Sequence, residues 1–158
     1  MLIAQELLNE MVAHAREEYD AECCGMVGYE WDDSDDRSRQ PRAVRIHRAQ
    51  NVYAATPGGH SPSARIPGMA SKRFEIDGKE VLRAMNEFDD AGLDLGAIYH
   101  SHTHTAPYPS QTDVNFARNW PGVEWLIVGL ASEEPEVRCY LIEDGEVREV
   151  PVEIAEAV

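Results

Sequence analysis

The chain has 158 residues, the size of a single domain, and 43% of them are hydrophobic. A domain of this size buries roughly 68–70% of its unfolded surface, so it needs no disulfide or structural metal in order to fold. Acidic residues outnumber basic ones by 29 to 14, giving a formal net charge of −15. This balance argues against a general nucleic-acid binder, which contacts phosphates through Lys and Arg, and against docking on an anionic membrane.

The charge predicts a solubilising surface of the kind that suits high salt, with an acidic face for a basic partner as the alternative. No apolar run approaches the ~20 residues of a membrane span, and the N-terminus lacks the basic start of a signal peptide. The cysteines are few and odd in number: Cys23, Cys24 and Cys139. We therefore expect a cytoplasmic protein with no membrane partner, whose cysteines are small apolar residues rather than ligands.

The first half of the chain alternates helix, strands and loops. Apolar residues at helical spacing, including Ile3, Leu8 and Met11, predict an amphipathic helix over residues 3–18. A strand, a solvated turn and a second strand follow, over residues 23–31, 32–42 and 43–53. Residues 54–72 are rich in Gly, Pro, Ser and Ala and show no periodicity. Long loops of this type are uncommon, and we expect a mobile surface insertion here.

The second half predicts two more helices among strands. A short strand at 72–76 precedes a helix that Asp77 caps with Glu80 in a capping box, and that stops at Gly92. The expected buried stripe of this helix is Val81, Leu82, Met85 and Phe88. The later elements are a strand at 93–99, a helix at 111–119, and strands at 123–131, 137–143 and 146–154. Asp144-Gly145 between the last two indicates a hairpin.

This order of elements predicts one α/β domain over residues 1–158, with a mixed β-sheet sandwiched by helices. Strands alternate with helices through the middle of the chain, whereas strands alone close it. No internal repeat is present in the sequence.

The segment AIYHSHTHTAPYPSQTD, residues 97–113, carries the chemistry. Side chains two apart on a strand point the same way, so His100 and His102 converge while Ser101 faces away. Asp113, on the first turn of the helix that Ser110 can cap, can fold back across the proline-containing loop. Two imidazoles and one carboxylate suit a catalytic zinc ion, which keeps a fourth position open.

His104 leaves the ligand set open. If the extended chain continued past His102, His104 would share the face of the other two histidines. Local geometry therefore allows either His100, His102 and His104, or His100, His102 and Asp113.

The pattern His100-Ser101-His102, seven residues, Ser110, two residues and Asp113 resembles the signature of the JAMM/MPN-plus metalloproteases. That family also has an early Glu-x-Cys-Gly, matched here by the residues from Glu22 to Gly25. The resemblance extends to Asn51, to the strand predicted around residues 73–75 and to the closing strands, and it omits only residues 54–72. It implies an MPN domain with a cytidine-deaminase-like architecture.

The resemblance also implies a role for each site residue. His100, His102 and Asp113 bind Zn²⁺. Glu22 is not a ligand but the general base, which deprotonates the attacking water and passes a proton to the leaving amine. Ser110 donates a hydrogen bond to the oxyanion.

Among family members, the chain looks most like the small prokaryotic enzymes that release cysteine from a sulfur-carrier protein. The implied partner is therefore a small ubiquitin-fold carrier with a Gly-Gly-like C-terminal tail. Two alternatives stay open: a peptidase of other ubiquitin-like or pro-protein tails, and a non-catalytic MPN scaffold. A zinc nucleobase deaminase is excluded, since it needs a Cys-x-x-Cys pair that this chain lacks.

Overall fold

The structure is a computed structural model, which describes residues 1–31, 40–54 and 68–155. Its α-helices are α1 (Gln5–Glu18), α2 (Gly78–Asp90) and α3 (Gln111–Ala117). Its strands are β1 (Leu2–Ile3), β2 (Cys24–Glu30), β3 (Arg42–Ala49), β4 (Asp94–His102), β5 (Glu124–Gly129), β6 (Glu136–Glu143), β7 (Glu146–Val150) and β8 (Glu153–Ile154). Single turns of 3-10 helix lie at Val52–Ala54 and Met69–Ser71.

The strands form one mixed sheet in the order β7-β6-β5-β4-β2-β3-β1-β8. β4 lies in the middle, antiparallel to β2 and parallel to β5. β7 and β8 occupy opposite edges, yet only Pro151 and Val152 separate them in the chain. The sheet must therefore curl until its two edges approach, and the amino group of Met1 donates to the carbonyl of Pro151 at 2.7 Å.

The two faces of the sheet carry different helices. α1 packs on one face against apolar side chains that include Ala97, Tyr99 and Leu126. α3 packs on the other face, in a cluster that includes Ile98, Trp125 and Ile127. The alternation along β4 therefore divides its residues between two cores, and the predicted mixed sheet with helices on both faces is confirmed.

Several predicted boundaries shift for identifiable reasons. Ile3 belongs to β1 rather than to the first helix, because it pairs with both β3 and β8. The strand predicted at 146–154 is two strands, since Pro151 lacks the N–H that a continuous ladder requires. β4 continues three residues beyond its predicted end and includes both His100 and His102.

The segment predicted as a strand at 72–76 is irregular instead. It follows the 3-10 turn Met69–Ser71, and its backbone bonds to the Asn51 side chain and to Val52 rather than to a strand. Most of the predicted surface insertion at 54–72 and of the predicted turn at 32–42 lies outside the described residues.

The buried stripe of α2 was predicted wrongly in part. Leu82 is 63% and Met85 41% exposed, whereas Ala84 and Phe88 are buried and Val81 is partly buried. The helix is rotated so that its small and aromatic side chains meet the sheet. The capping box at its start is also incomplete. The Asp77 carboxylate accepts from Lys79 N–H at 3.5 Å, but the Glu80 carboxylate accepts from Gln50 N–H at 2.8 Å.

Other local predictions are confirmed. Gly92 ends α2 with a φ of 73°, and Asp144 and Gly145 both have positive φ in the hairpin between β6 and β7. Two successive positive φ values are the geometry that matches the twist of a two-residue hairpin. The three cysteines are buried and carry free thiols, as expected of small apolar residues.

The rotated α2 gives a stability prediction. Phe88→Ala should lower the free energy of unfolding by about 3–5 kcal/mol, because it opens a cavity between α2 and β2. Leu82→Ala, in the same helix, should change it by no more than about 0.5 kcal/mol, since Leu82 faces solvent. Urea unfolding of both variants measures these changes. Equal losses of unfolding free energy would contradict the burial of Phe88 and the exposure of Leu82.

A buried histidine lies between α1 and β4. His14 is 4% exposed, and its Nδ1 is 2.8 Å from the hydroxyl oxygen of Tyr99. Burial lowers the pKa of His14 from 6.5 to about 4, and the positive charge of Arg48 contributes to the same shift. His14 is therefore neutral in the folded protein at neutral pH.

This neutral histidine makes folding pH-dependent. The unfolded chain protonates His14 below about pH 6.5, whereas the folded chain does so only near pH 4. The free energy of unfolding should consequently fall as pH decreases through this window, by up to about 3 kcal/mol from this group. Urea unfolding at pH 7 and pH 4.5 should show a smaller fall in His14→Gln than in the wild type. An identical fall in both proteins would rule out this origin.

Candidate metal centre

Two histidines stand at the carboxyl end of β4. His100 and His102 project from the same side of the strand, and their Nε2 atoms are 3.1 Å apart. Both are buried, with 0% and 6% of their surfaces exposed. Their position at the middle of the sheet places them under α3 and between the two neighbouring strands.

The start of α3 brings a carboxylate to the same point. Asp113 Oδ2 lies 3.2 Å from His100 Nε2 and 3.3 Å from His102 Nε2. A capping box fixes this orientation. Ser110 N–H donates to Asp113 Oδ2 at 2.9 Å, and Asp113 N–H donates to Ser110 Oγ at 3.1 Å. The residue that begins the helix therefore also aims its carboxylate at the histidines.

Glu22 reaches the site from the residue pair that precedes β2. It is 5% exposed, and one of its carboxylate oxygens lies within 4.8 Å of a nitrogen of each histidine. Its Oε2 is buried and has no hydrogen-bond partner among the described residues. Burial raises the pKa of Glu22, and the nearby histidine charges offset this only in part.

In Asp113 and His102, the contacts shift the pKa against the effect of burial. Burial alone would raise the pKa of Asp113, but the charge of His100 and the hydrogen bonds from both histidines hold it well below its usual range. Burial would lower the pKa of His102, but the bonds to Asp113 and to the Ala106 carbonyl raise it. The cluster thus combines an ionised Asp113 with a Glu22 of raised pKa.

The three closest donor atoms fit a tetrahedral metal ion. Ligands held at ~2.0–2.1 Å in tetrahedral geometry lie ~3.3–3.4 Å from one another, close to the separations observed here. His102 Nδ1 is 2.9 Å from the Ala106 carbonyl, so this nitrogen carries the proton and leaves Nε2 able to bind a metal. Glu22 is the more distant carboxylate, although it too faces both histidines.

The remaining candidates, His104 and Ser110, do not contribute a donor atom to this cluster. His104 follows the end of β4, is exposed, and packs its ring edge-on to Tyr19 at 5.7 Å between centroids. The extended alternation that would have aligned it with His102 has ended. Ser110 is exposed at the start of α3, next to the cluster through its bonds with Asp113.

Sequence reasoning missed two contributors to the site. The Phe74 ring stacks on His100 with 4.5 Å between centroids, and Ser101 Oγ accepts from Cys23 N–H at 2.8 Å. Both contacts join segments that are far apart in the chain, so no local sequence pattern predicts them. Residues 73–75 belong to the resemblance, but no pattern in the sequence predicts a role for Phe74.

Comparison with known proteins shows where this arrangement belongs. Residues 4–143 match the family described as prokaryotic homologs of the JAB domain. The chain belongs to this family. The resemblance to JAMM/MPN-plus proteins is therefore confirmed.

Two curated proteins and one solved structure illustrate the relationship. The CysO-cysteine peptidase of Mycobacterium tuberculosis is 32% identical over 163 residues, covering 99% of this chain and 92% of that protein. The desampylase of Haloferax volcanii is 31% identical over 129 residues, covering 79% of this chain and 77% of that protein. The solution structure of DSY2949 from Desulfitobacterium hafniense has 27% identity and a TM-score of 0.74, covering 99% of this chain and 94% of that one.

Within the described ranges, no helix combines the length and the apolar character that crossing a membrane requires.

Proposed function

We propose that the protein is a zinc metallopeptidase that hydrolyses an amide bond at the C-terminal tail of a small ubiquitin-fold carrier. The preferred reaction releases cysteine from a sulfur-carrier–cysteine adduct. The observation that carries this proposal is the convergence of His100, His102 and Asp113 beside the buried Glu22, in a chain related over its whole length to a CysO-cysteine peptidase.

Zinc is the metal that the donor set favours. Two imidazoles and one carboxylate form a three-ligand set typical of catalytic zinc, in which a fourth position stays available. We assign His100, His102 and Asp113 as these ligands, because their donor atoms lie closest together. Zinc held there supplies a Lewis acid that polarises a carbonyl and activates water at neutral pH.

Glu22 is proposed as the general base. Its carboxylate faces both histidines but has an oxygen without a hydrogen-bond partner among the described residues, so that oxygen is available to accept a proton. Its raised pKa brings it closer to the operating pH, where a base that must later act as an acid is most effective. After taking a proton from the attacking water, it can deliver one to the leaving amine.

Ser110 is proposed as the oxyanion donor. Its Oγ already accepts a hydrogen bond from Asp113 N–H. A hydroxyl group has one proton and two acceptor lone pairs, so the Ser110 proton remains able to bond elsewhere. Its exposure at the start of α3 makes that proton accessible to a substrate carbonyl. Donors of this type contribute roughly 10²–10³-fold to the rate.

A groove next to the site offers a path for an extended tail. It has a volume of about 360 Å³, and its lining includes Ala106, whose carbonyl accepts a hydrogen bond from His102 Nδ1. Tyr108 is 58% exposed along it and packs edge-on to Tyr140. An exposed aromatic ring beside an open groove can pack against the backbone of an extended tail.

Isopeptide hydrolysis is the second candidate. The Haloferax volcanii relative, 31% identical across 79% of this chain, is a desampylase. Both reactions divide the same kind of bond after a carrier tail and require the same ligands and base, and they differ in the amine that leaves.

The ligand assignment predicts opposite results for two substitutions. Asp113→Ala should weaken zinc binding by more than ~100-fold, because it removes a charged donor atom rather than an outer-sphere partner. His104→Ala should leave affinity unchanged, since His104 packs against Tyr19 outside the cluster. Competition against a chromophoric chelator measures both. The reverse pattern would make His104 the third ligand.

The base assignment predicts a loss of rate without a loss of metal. Glu22→Gln should retain one zinc per chain but cleave at least ~10²-fold more slowly, because an amide cannot accept the proton. Glu18→Gln makes the same change on the exposed end of α1 and serves as the matched control. Equal activity in the two variants would exclude Glu22 as the base. Absence of cleavage by the wild type and by both variants would favour the non-catalytic MPN scaffold.

The substrate class is tested by intact-mass analysis of a small carrier protein that ends in Gly-Gly-Cys. We expect loss of one cysteine, inhibition by a chelator and recovery with zinc. The same carrier joined to a lysine side chain tests the isopeptidase. Cleavage of that conjugate alone would replace the first candidate by the second, and cleavage of neither would contradict both.

A further inference from the structure

We propose that Asn51 is a positioning residue, which fixes Glu22 relative to the metal ligands by tying it to residues 68–76. These residues, here named the strap, run beside the candidate metal centre. The inference rests on the proposed function, because it concerns the residue assigned there as the base. It adds a residue that lies outside the ligand, base and oxyanion set.

The Asn51 side chain uses its full hydrogen-bonding capacity. Its Nδ2 donates to the carbonyls of Glu22 at 3.0 Å and Arg73 at 2.9 Å. Its Oδ1 accepts from the N–H groups of Tyr53 at 3.1 Å and Glu75 at 3.3 Å. Two carbonyls on one side and two N–H groups on the other define the orientation of the amide. An amide is the group that provides two donors and two acceptors at these positions.

The backbone of Glu22 is anchored on both sides. Its N–H donates to the Ala70 carbonyl at 2.6 Å, and its carbonyl accepts from Asn51. One of these bonds comes directly from the strap, and the other reaches the strap through the same amide nitrogen that holds Arg73. Glu22 and the strap are thus locked together by two independent routes.

The strap also contacts the ligand strand. Phe74 stacks on the His100 ring at 4.5 Å, and the Ser71 carbonyl accepts from Thr103 Oγ1 at 3.2 Å. The strap therefore contacts the first histidine of the cluster directly and also binds Thr103, the residue that follows His102. Asn51, buried at 5% exposure, is the side chain that joins this strap to the base.

The carboxylate of Glu22 needs such support. Its Oε2 has no hydrogen bond within the described part of the chain, so that oxygen is not located by any direct polar contact. Its position depends on the backbone from which it projects and on packing. A shift of about 1 Å in a reacting group can cost ~10²-fold in rate even when the substituted residue lies outside the chemistry.

Asn51→Asp is the sharpest test. The carboxylate keeps the acceptor for Tyr53 and Glu75 but loses both donors that hold Glu22 and Arg73. The side chain in Asn51→Ser is too short to reach the carbonyls of Glu22 and Arg73, and it adds no charge. A similar loss of kcat in the two variants therefore reports lost positioning and not an added negative charge. Phe88→Leu is the control for stability, since Phe88 packs between α2 and β2 away from the site.

We expect both Asn51 variants to keep one zinc per chain and an unchanged KM, while kcat falls by roughly 10–100-fold. Phe88→Leu should lower the unfolding temperature without this loss of kcat. Equal kcat in the Asn51 variants and the control, or a loss confined to zinc content, would overturn the inference. An inactive wild type would instead contradict the proposed function.

Amide hydrogen exchange decides the question independently of activity. In zinc-loaded Asn51→Asp, the amide of Glu22 should exchange faster than in the wild type, because it donates to the Ala70 carbonyl of the strap, and the variant lacks the Nδ2 donor that ties Glu22 to Arg73 of the strap. The amide of Glu75 keeps an acceptor oxygen at position 51 in this variant and serves as an internal reference. The amides of β4 should keep their protection, and Phe88→Leu should leave Glu22 unaffected. Unchanged exchange at Glu22 would overturn the positioning role, even if no substrate is cleaved.

Discussion

Two imidazole nitrogens and one carboxylate oxygen lie within 3.3 Å of one another at the buried end of β4. Donor lone pairs cannot remain this close in a low-dielectric interior unless a proton or a cation lies among them. The fold holds them there by general means. β4 is central in the sheet and hydrogen-bonded on both sides, and the N-terminal cap of α3 aims Asp113 at the strand end. The cluster is consequently part of the packed structure and not a set of surface side chains.

Glu22 is held differently from the three proposed ligands. The proposed ligands project from a strand and from a capped helix, whereas Glu22 precedes β2 and its backbone is bonded to Asn51 and the strap. A base has to change its protonation state and its contacts during a reaction, so a carboxylate with an uncommitted oxygen is useful. As a result, the position of the Glu22 carboxylate depends on the backbone from which it projects. In the proposed mechanism, the ligands are held by regular secondary structure and the base is held through its backbone.

The sequence predicted those parts of the site that depend on local periodicity. The spacing of His100 and His102 fixed their common face, and the Ser110–Asp113 spacing is both a helix cap and a route for the carboxylate. Glu22 came from the resemblance, since nothing in its local pattern brings it to residues that lie about eighty positions later. Asn51, Phe74 and the strap could not be predicted locally, because their contacts join segments that the fold alone brings together.

For the fold as well, features that depend on local sequence were predicted, and features that depend on contacts between distant segments were not. The hairpin predicted at Asp144-Gly145 and the helix end predicted at Gly92 are confirmed, since they depend on the backbone preferences of a few residues. The predicted buried face of α2 is wrong in part, because the apolar Leu82 and Met85 face solvent while Ala84 and Phe88 pack against the sheet. The separation of β8 from β7 and its pairing with β1 arise from closure of the curled sheet. Apolar periodicity predicts that a helix is amphipathic, but packing decides which apolar side chains are buried.

X-ray absorption spectroscopy of the zinc-loaded protein tests the central claim most directly. It counts imidazole rings around the metal and distinguishes sulfur from nitrogen or oxygen donors. We predict two imidazoles and otherwise oxygen donors at ~2.0–2.1 Å, with no sulfur contribution. A third imidazole would implicate His104, and a sulfur shell at ~2.3 Å would implicate a cysteine. Either result would contradict a centre formed by His100, His102 and Asp113.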